Sequence, residues 1–281
     1  MSNEKNEIMA TEASTYLTDP VNLNELFSEE LDGLRPSFER IKIPAGGGIS
    51  YEVPGDDPDS PDTVKEFTAV ILHHHPVNSY FKDKFSGASN PPDCASIDGK
   101  VGVARDTGEC RDCKTCPMAQ FGSGENGGMA CKQKRCLYLL REGEILPIIM
   151  TLPTGSLGEV TKYITRLVAK GKHANTVVTK FALKKAQNST GINYSQATFA
   201  TVRSLNPAEK AAIDSMSAQV KAMARTVNIE DVADEPISVD PQTGEAAEPL
   251  KLAFDIVRRD TLPPDFHRRK YHDNKRTEAA V

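Results

Sequence analysis

Residues 91–136 read PPDCASIDGKVGVARDTGECRDCKTCPMAQFGSGENGGMACKQKRC, and this stretch holds all six cysteines of the 281-residue chain. Two overlapping C-x-x-C pairs, Cys110/Cys113 and Cys113/Cys116, lie between a lone Cys94 upstream and Cys131 and Cys136 downstream. Gly, Asp, Ser and Pro surround the thiols, and apolar residues are few and scattered. A segment of this composition buries too little apolar surface to offset the entropy lost on ordering it. Its order has to come from elsewhere, and clustered thiols point to a metal.

Outside this stretch the chain has an ordinary globular composition, 38% hydrophobic and 26% charged, with length for one large domain or two small ones. No apolar run approaches a membrane span, and the N-terminus MSNEKNEIMATEAS lacks the basic-then-apolar form of a signal peptide. A soluble cytoplasmic protein with no membrane partner is expected. There the thiols stay reduced, so metal binding outranks a disulfide framework.

The net charge of −5 argues against a polyanion partner until its distribution is read. Residues 1–34 carry 1 basic and 8 acidic groups, and residues 228–281 carry 8 and 12. The body between them, 35–227, holds 25 basic against 19 acidic groups. A positive body between acidic flanks suits a polyanion, with flanks free to recruit protein partners or to compete for the same groove. Solubilising charge explains the same numbers equally well.

Three parts follow. Residues 1–34 form an acidic segment in which Asn22 can cap a short helix carrying Leu23, Leu26, Phe27 and Leu31; a docking helix and a frayed tail are both open. Residues 35–227 form the main domain, with the cysteine insertion at 91–136. Residues 228–281 are an acidic, then basic, tail.

Within the main domain FERIKIP and ISYEVP flank Gly46-Gly47-Gly48 as a hairpin, and 55–63 reads as an acidic, proline-broken loop. Phe67–Leu72 is an apolar strand running into His73-His74-His75. Alternation puts His73 and His75 on one face and His74 on the other, so the three cannot form a local chelate, although one remains available as a ligand. CLYLLREGEILPIIMTLP reads as two strands about a turn at 141–144, with Cys136 in the core beside Tyr138 and Leu140. Ser156 and Glu159 form a capping box for a helix with a stripe of Leu157, Val160, Ile164, Leu167 and Val168, ended by Gly171. Residues 176–186 and 192–203 make a long hairpin, and a second helix opens at Asn206-Pro207. The fold class is therefore mainly β (α+β), an OB-like barrel with one or two packed helices.

A structural zinc takes four tetrahedral ligands, and the x-x spacing lets a chain turn so that both thiolates meet one ion. Cys113–Cys116, stiffened by Pro117, is the best such knuckle. Cys94 and Cys131 are the most natural remaining ligands, and Cys110 is their competitor through its own C-x-x-C with Cys113. An iron–sulfur cluster is the rival cofactor, because C-x-x-C-x-x-C-P matches part of a ferredoxin run. The polar, glycine-rich flanks favour zinc. No nucleophile elbow, HExxH, kinase or deaminase pattern occurs, so a binding protein is expected and not an enzyme.

These residues resemble a known family. P-x-C-x-S-x-D-G at Pro92–Gly99, C-x-x-C-P at Cys113–Pro117, F-G-S-G at Phe121–Gly124 and Cys131-Lys132 resemble a family of bacteriophage and prophage single-stranded-DNA-binding proteins. L-P-T-G-S at Leu152–Ser156, with the helix after it, fits the same family. The resemblance covers roughly residues 38–205. It implies an OB-fold with a metal-binding insertion and a part in DNA replication, recombination or repair. It also implies Cys94, Cys113, Cys116 and Cys131 as ligands, with no place for Cys110 or Cys136.

The requirements of single-strand binding, a cationic groove and aromatic faces, can be sought independently. Residues 100–185 carry 15 basic and 7 acidic groups, the most positive block of the chain. Within or beside it, Lys132, Lys134, Arg135, Arg141, Lys180, Lys184 and Lys185 are candidate phosphate contacts, with Tyr80, Phe121 and Tyr194 as candidate stacking rings. Two other classes fit the same thiols. One is a zinc-ribbon regulator that binds a polymerase or duplex DNA; the other is an iron–sulfur nucleic-acid enzyme.

Overall fold

The computed structural model describes residues 16–32, 34, 37–55, 57, 60–83, 91–124, 127–188 and 191–224. The expected tail at 228–281 and residues 1–15 lie outside the described residues. The protein is mixed α+β and mainly sheet. Its spine is β4 (Glu66–Tyr80), in which the expected apolar strand Phe67–Leu72 continues through the three histidines and Pro76. β10 (Val177–Gln187) pairs with Glu66–Val70 and β5 (Cys94–Ser96) with Asn78–Tyr80, while β8 (Lys132–Arg141) pairs along Ala69–Ser79. Residues 71–77 thus have a ladder on one side only, and a proline is tolerated there.

From β4 the sheet extends through β8 to β9 (Ile148–Leu152), and through β10 to β11 (Asn193–Ser204), with every one of these pairings antiparallel. β1 (Arg40–Ile41) lies parallel on the outer edge of β9. β5 leads to β6 (Val101–Ala104) and β7 (Cys110–Asp112) inside the cysteine insertion. β2 (Tyr51–Val53) and β3 (Asp62–Val64) form a separate ribbon. Only a bridge, Lys42 to Glu52, joins β1's segment to β2, so the expected hairpin about the glycines is reduced to one rung; β3 lies in what was expected to be loop. No closed barrel occurs among the described residues. β9 is short, Pro153 ends it, and β1 occupies its edge. The turn Thr154–Ser156 spans the remaining gap to β11: Thr154 Oγ1 donates to the Gln133 carbonyl (2.6 Å), and Gln196 Nε2 donates to the Gly155 carbonyl (2.7 Å).

Both sheet faces are apolar, and each is covered. One presents Val70, Cys136, Tyr138, Leu140 and Ile149 to α1 (Leu23–Glu30) and α3 (Pro207–Met223), whose Ile213, Met216 and Val220 are buried there. The other presents Ile71, Leu137, Leu139, Met150 and Phe181 to α2 (Leu157–Ala169). Cys136 is fully buried, as its alternation with Tyr138 and Leu140 predicts. The N-terminal helix is docked: Asn22 caps it, Leu23 is fully buried, and Gln219 bonds the backbone of Leu23 and Val21 at 2.7 Å each.

α3 carries the expected cap, with Asn206 and Glu209 bonding reciprocally; buried Glu209 also takes both arms of Arg203 at 2.8 Å. α2 ends as expected at Gly171, φ +68°, with Lys172 N bonded to Leu167 O and Gly171 N to Val168 O. Its start differs. Ser156 accepts the amide of Ala197 on β11 (2.9 Å) and makes no helix cap. The buried stripe is Val160, Tyr163 and Leu167, while Val168 is 61% exposed. Tyr163 turns inward because its hydroxyl reaches Thr179 Oγ1 at 2.7 Å. Among the described residues no helix is long and apolar enough to cross a membrane.

Candidate metal centre and nucleic-acid face

Strand register decides which thiols meet. Cys94 pairs with Ala104 on β6, and Gly102, two residues earlier on β6, lies on the same face. Gly102 pairs with Arg111 on β7, whereas Cys110 pairs with Val103 and so sits on the opposite face. Cys113, two residues past Arg111 and bonded through its amide to Lys100 O (2.8 Å), stays on the Gly102 face, and an Asx turn (Lys114 N to Asp112 Oδ1, 2.9 Å) begins the loop that brings Cys116 to the same cleft. Cys116 opens a 3-10 turn at Pro117, and the Cys131 amide donates to Met118 O within that turn (2.8 Å). Cys94, Cys113, Cys116 and Cys131 consequently line one cleft of about 30 Å³ with Arg111 and Tyr80. That volume suits one or two water-sized occupants.

Gly102 makes the room. A Cβ there would stand 3.0 Å from Cys94 Sγ and 3.5 Å from Cys113 Sγ. The thiols also act on each other electrostatically. Burial, then the neighbouring thiols of Cys113, Cys94 and Cys116, push Cys131 up to about 12, and burial with Cys113 and Cys116 raises Cys94. Soft donors that resist ionisation beside one another are what a divalent ion would relieve, since it binds thiolate outright. Arg111, bonded to Glu109 at 2.7 Å and facing Cys94 and Cys116, is held more firmly protonated. As the side chains stand, no group of three or more His, Cys, Asp or Glu among the described residues forms a preformed metal site. The four thiols share a cleft without closing on one point.

Upstream, Asp98 Oδ1 takes the amides of Lys100 (2.8 Å) and Val101 (3.0 Å) and the Ser96 hydroxyl (3.0 Å). Against burial, which would raise it, these donors hold the Asp98 carboxyl below its usual range. They fix the turn that brings β5 back as β6. Gly99 at its apex has φ +67°, and a Cβ there would strike the Pro76 ring at 2.8 Å.

The candidate nucleic-acid contacts fall into two groups. Tyr80 edges the thiol cleft, Phe121 projects from the insertion at 81% exposure, and Lys132 and Lys134 pair with Ser79 and Val77 at the same end of β4. Arg135 faces the other side and donates to His74 Nδ1 (2.5 Å). The second group lies toward the start of β4. Arg141 is paired with Glu144, Lys180 with Glu66 (3.2 Å), and Lys184 is 3.9 Å from Glu159. Lys185 packs its stem near Gly47, and Tyr194 lies so close over Gly155 that a Cβ there would come 2.6 Å from the ring. Thr68, beside Lys180, and Ser79, beside Lys132, are roughly 36 Å apart on a strand rising about 3.3 Å per residue. The ten residues do not form one patch.

The histidines divide as alternation predicts. His73 and His75 lie over Tyr138 at 6.2 and 5.9 Å, and His74 faces Arg135. Arginine only donates, so His74 accepts at Nδ1 and is neutral. Burial, followed by Arg135 and the flanking histidines, pushes it down to about 4. Sequence reading missed Gly102 and Arg111. A lone glycine inside V-G-V-A was the available signal for Gly102, since glycine within a strand marks close approach; Arg111 needed the register. No family model, no curated protein and no solved structure matches the chain.

Proposed function

We propose that this protein binds single-stranded DNA in replication, recombination or repair, catalysing no reaction on it, with a structural zinc held by Cys94, Cys113, Cys116 and Cys131. One coincidence carries the reading. β4, β8, β9, β10 and β11, with α2 between the third and fourth, are ordered β11-β10-β4-β8-β9, which supports an OB-like, partly open Greek-key arrangement. In such folds the loops joining the first to the second strand and the fourth to the fifth embrace the oligonucleotide. Here those loops are the cysteine insertion, at the Tyr80 end of β4, and the β10–β11 connection, beyond its Glu66 end, so a single strand would have to run along β4 to meet both. Phe121 lies in the first, with Tyr80 and Lys132 at its ends; Lys184, Lys185 and Tyr194 flank the second.

Zinc is favoured over an iron–sulfur cluster by the size of the cleft, which suits one ion, since four thiolates would serve either group. Bound there, zinc supplies no reaction chemistry and serves to brace the insertion. The acidic flanks are left for replication or recombination proteins, or for competition with the strand, and lie largely outside the described residues.

The test is an anisotropy titration of labelled oligo(dT) with the full chain, repeated across salt and against duplex competitor. Binding that tolerates sequence and weakens by about 0.7 log units per phosphate contact for each tenfold rise in salt supports the proposal. Indifference to oligo(dT) at low salt, or preference for duplex, contradicts it and favours a zinc-ribbon regulator. Brown protein with visible absorbance would instead indicate an iron–sulfur enzyme.

A further inference from the structure

Phe121 is the most exposed large apolar side chain among the described residues, at 81%. A single exposed ring is ordinary on a protein surface. This one is held out by a tightly braced loop. The single Ser123 hydroxyl proton is shared between the carbonyls of Gln120 (2.6 Å) and Met118 (3.0 Å), and its oxygen accepts from Ala130 N (3.0 Å). Gly122 N bonds the carbonyls of Gly127 and Gly128 at 3.1 Å, and Gly124 N bonds Gly128 O at 2.9 Å. At Gly124 the returning chain passes so near that a Cβ would stand 2.8 Å from the Ala130 amide nitrogen.

The brace ends on candidate metal ligands. Gln120 Nε2 reaches the Cys116 carbonyl (3.4 Å), and the Cys131 amide bonds Met118 O (2.8 Å). An ion joining Cys116 to Cys131 would clamp both ends of the loop that carries Phe121.

We infer that the metal centre acts in binding by presenting Phe121 to an unstacked base of a single strand. The inference rests on the proposed function above and assigns the coupling between metal and strand to one ring. Its surroundings favour a base over a protein pocket. Gln120 and Ser123 are exposed and polar, with Lys114 and Lys132 exposed on the same segment and Met118, at 37%, the other exposed large apolar side chain there. Protein hot spots sit in a desolvated apolar centre, whereas a base needs only one π-face with cations near the backbone.

The chain has no Trp, so Phe121→Trp installs a single emission reporter in the full-length, zinc-loaded protein. Oligo(dT) should quench it, and an abasic strand of equal length should not. Phe121→Ala should weaken oligo(dT) binding roughly 5- to 150-fold, the equivalent of one stacked base. Chelation should weaken the wild type by a similar factor and add little to Phe121→Ala. Emission unmoved while Phe121→Trp binds oligo(dT) overturns this inference and leaves the single-strand reading standing. So does a chelation effect that persists undiminished in Phe121→Ala. Loss of a protein partner by Phe121→Ala with oligo(dT) affinity intact overturns it as well. Wild-type protein that ignores oligo(dT) overturns both.

Discussion

The sheet and the insertion stand side by side on β4 and are held by different forces. The sheet buries Leu137, Leu139, Leu140, Ile149, Met150 and Phe181 between helices on both faces. Apart from Cys136, which belongs to the sheet, the buried apolar residues of the insertion are Pro92, Ala95, Ala104, Ala119 and the Cys131 thiol. Each fully buried large side chain contributes about 1.5–3 kcal/mol, and alanines contribute far less. The insertion compensates with turns: Asp98, Asp112 and Ser123 each satisfy two or more backbone or hydroxyl groups. Such bonds fix shape but add little net stability apiece. The difference separates a part that folds by burial from a part that, under the proposed function, zinc would clamp.

Taking away the clamp should produce the largest effect. Structural zinc in small motifs contributes about 10 kcal/mol or more of apparent binding free energy at neutral pH. Chelation, or Cys131→Ser, should open residues 94–131 to limited proteolysis while the circular dichroism of sheet and helices persists. Cleavage spread evenly over the chain would show that both regions unfold together.

Phe181→Ala attacks the other side. Phe181 is fully buried, stacked on Phe67 at 4.8 Å, and its loss should cost about 3–5 kcal/mol, read as a lower urea midpoint. Zinc content should not change.

Acid should also act on the sheet. His74 is pushed down to about 4 in the folded state, against about 6.5 unfolded, so in that window the unfolded chain binds a proton the folded chain refuses. The stability is intact above pH 6.5 and falls toward pH 4, by up to about 3 kcal/mol. His75, lowered by burial, adds in the same direction. His74→Gln keeps an acceptor for Arg135 without titrating, so its melting temperature should vary less across that window.

Gly102→Ala is the smallest and most local change. Its Cβ, 3.0 Å from Cys94 Sγ, should lower zinc affinity by an order of magnitude, in the range of other residues that support metal ligands, and leave the sheet's melting unaltered.

The two regions also differ in how far the sequence disclosed them. The β10–β11 hairpin, the Asn206 cap of α3, the Gly171 stop of α2 and the burial of Cys136 were legible because each depends on local periodicity or capping. Ser156 misled because its hydroxyl found a strand 41 residues away, a partner no local rule anticipates. Val168 yielded the α2 core face to Tyr163 for a similar reason, the hydroxyl partner on β10. The parallel β1–β9 pair and the strands β5–β7 are too short for periodicity to register. In the candidate site, spacing offered Cys94, Cys113, Cys116 and Cys131 with Cys110 as competitor, and the first four share the lining of one cleft. The exclusion of Cys110 acquires its physical reason only from β6–β7 register.

The most direct test of the clamp is the zinc content of purified full-length protein, wild type beside six single Cys→Ser variants. One zinc per chain is expected in the wild type, retained in Cys110→Ser and Cys136→Ser and lost in Cys94→Ser, Cys113→Ser, Cys116→Ser and Cys131→Ser. A wild type without zinc, or loss on replacing Cys110 but not Cys94, would contradict the account.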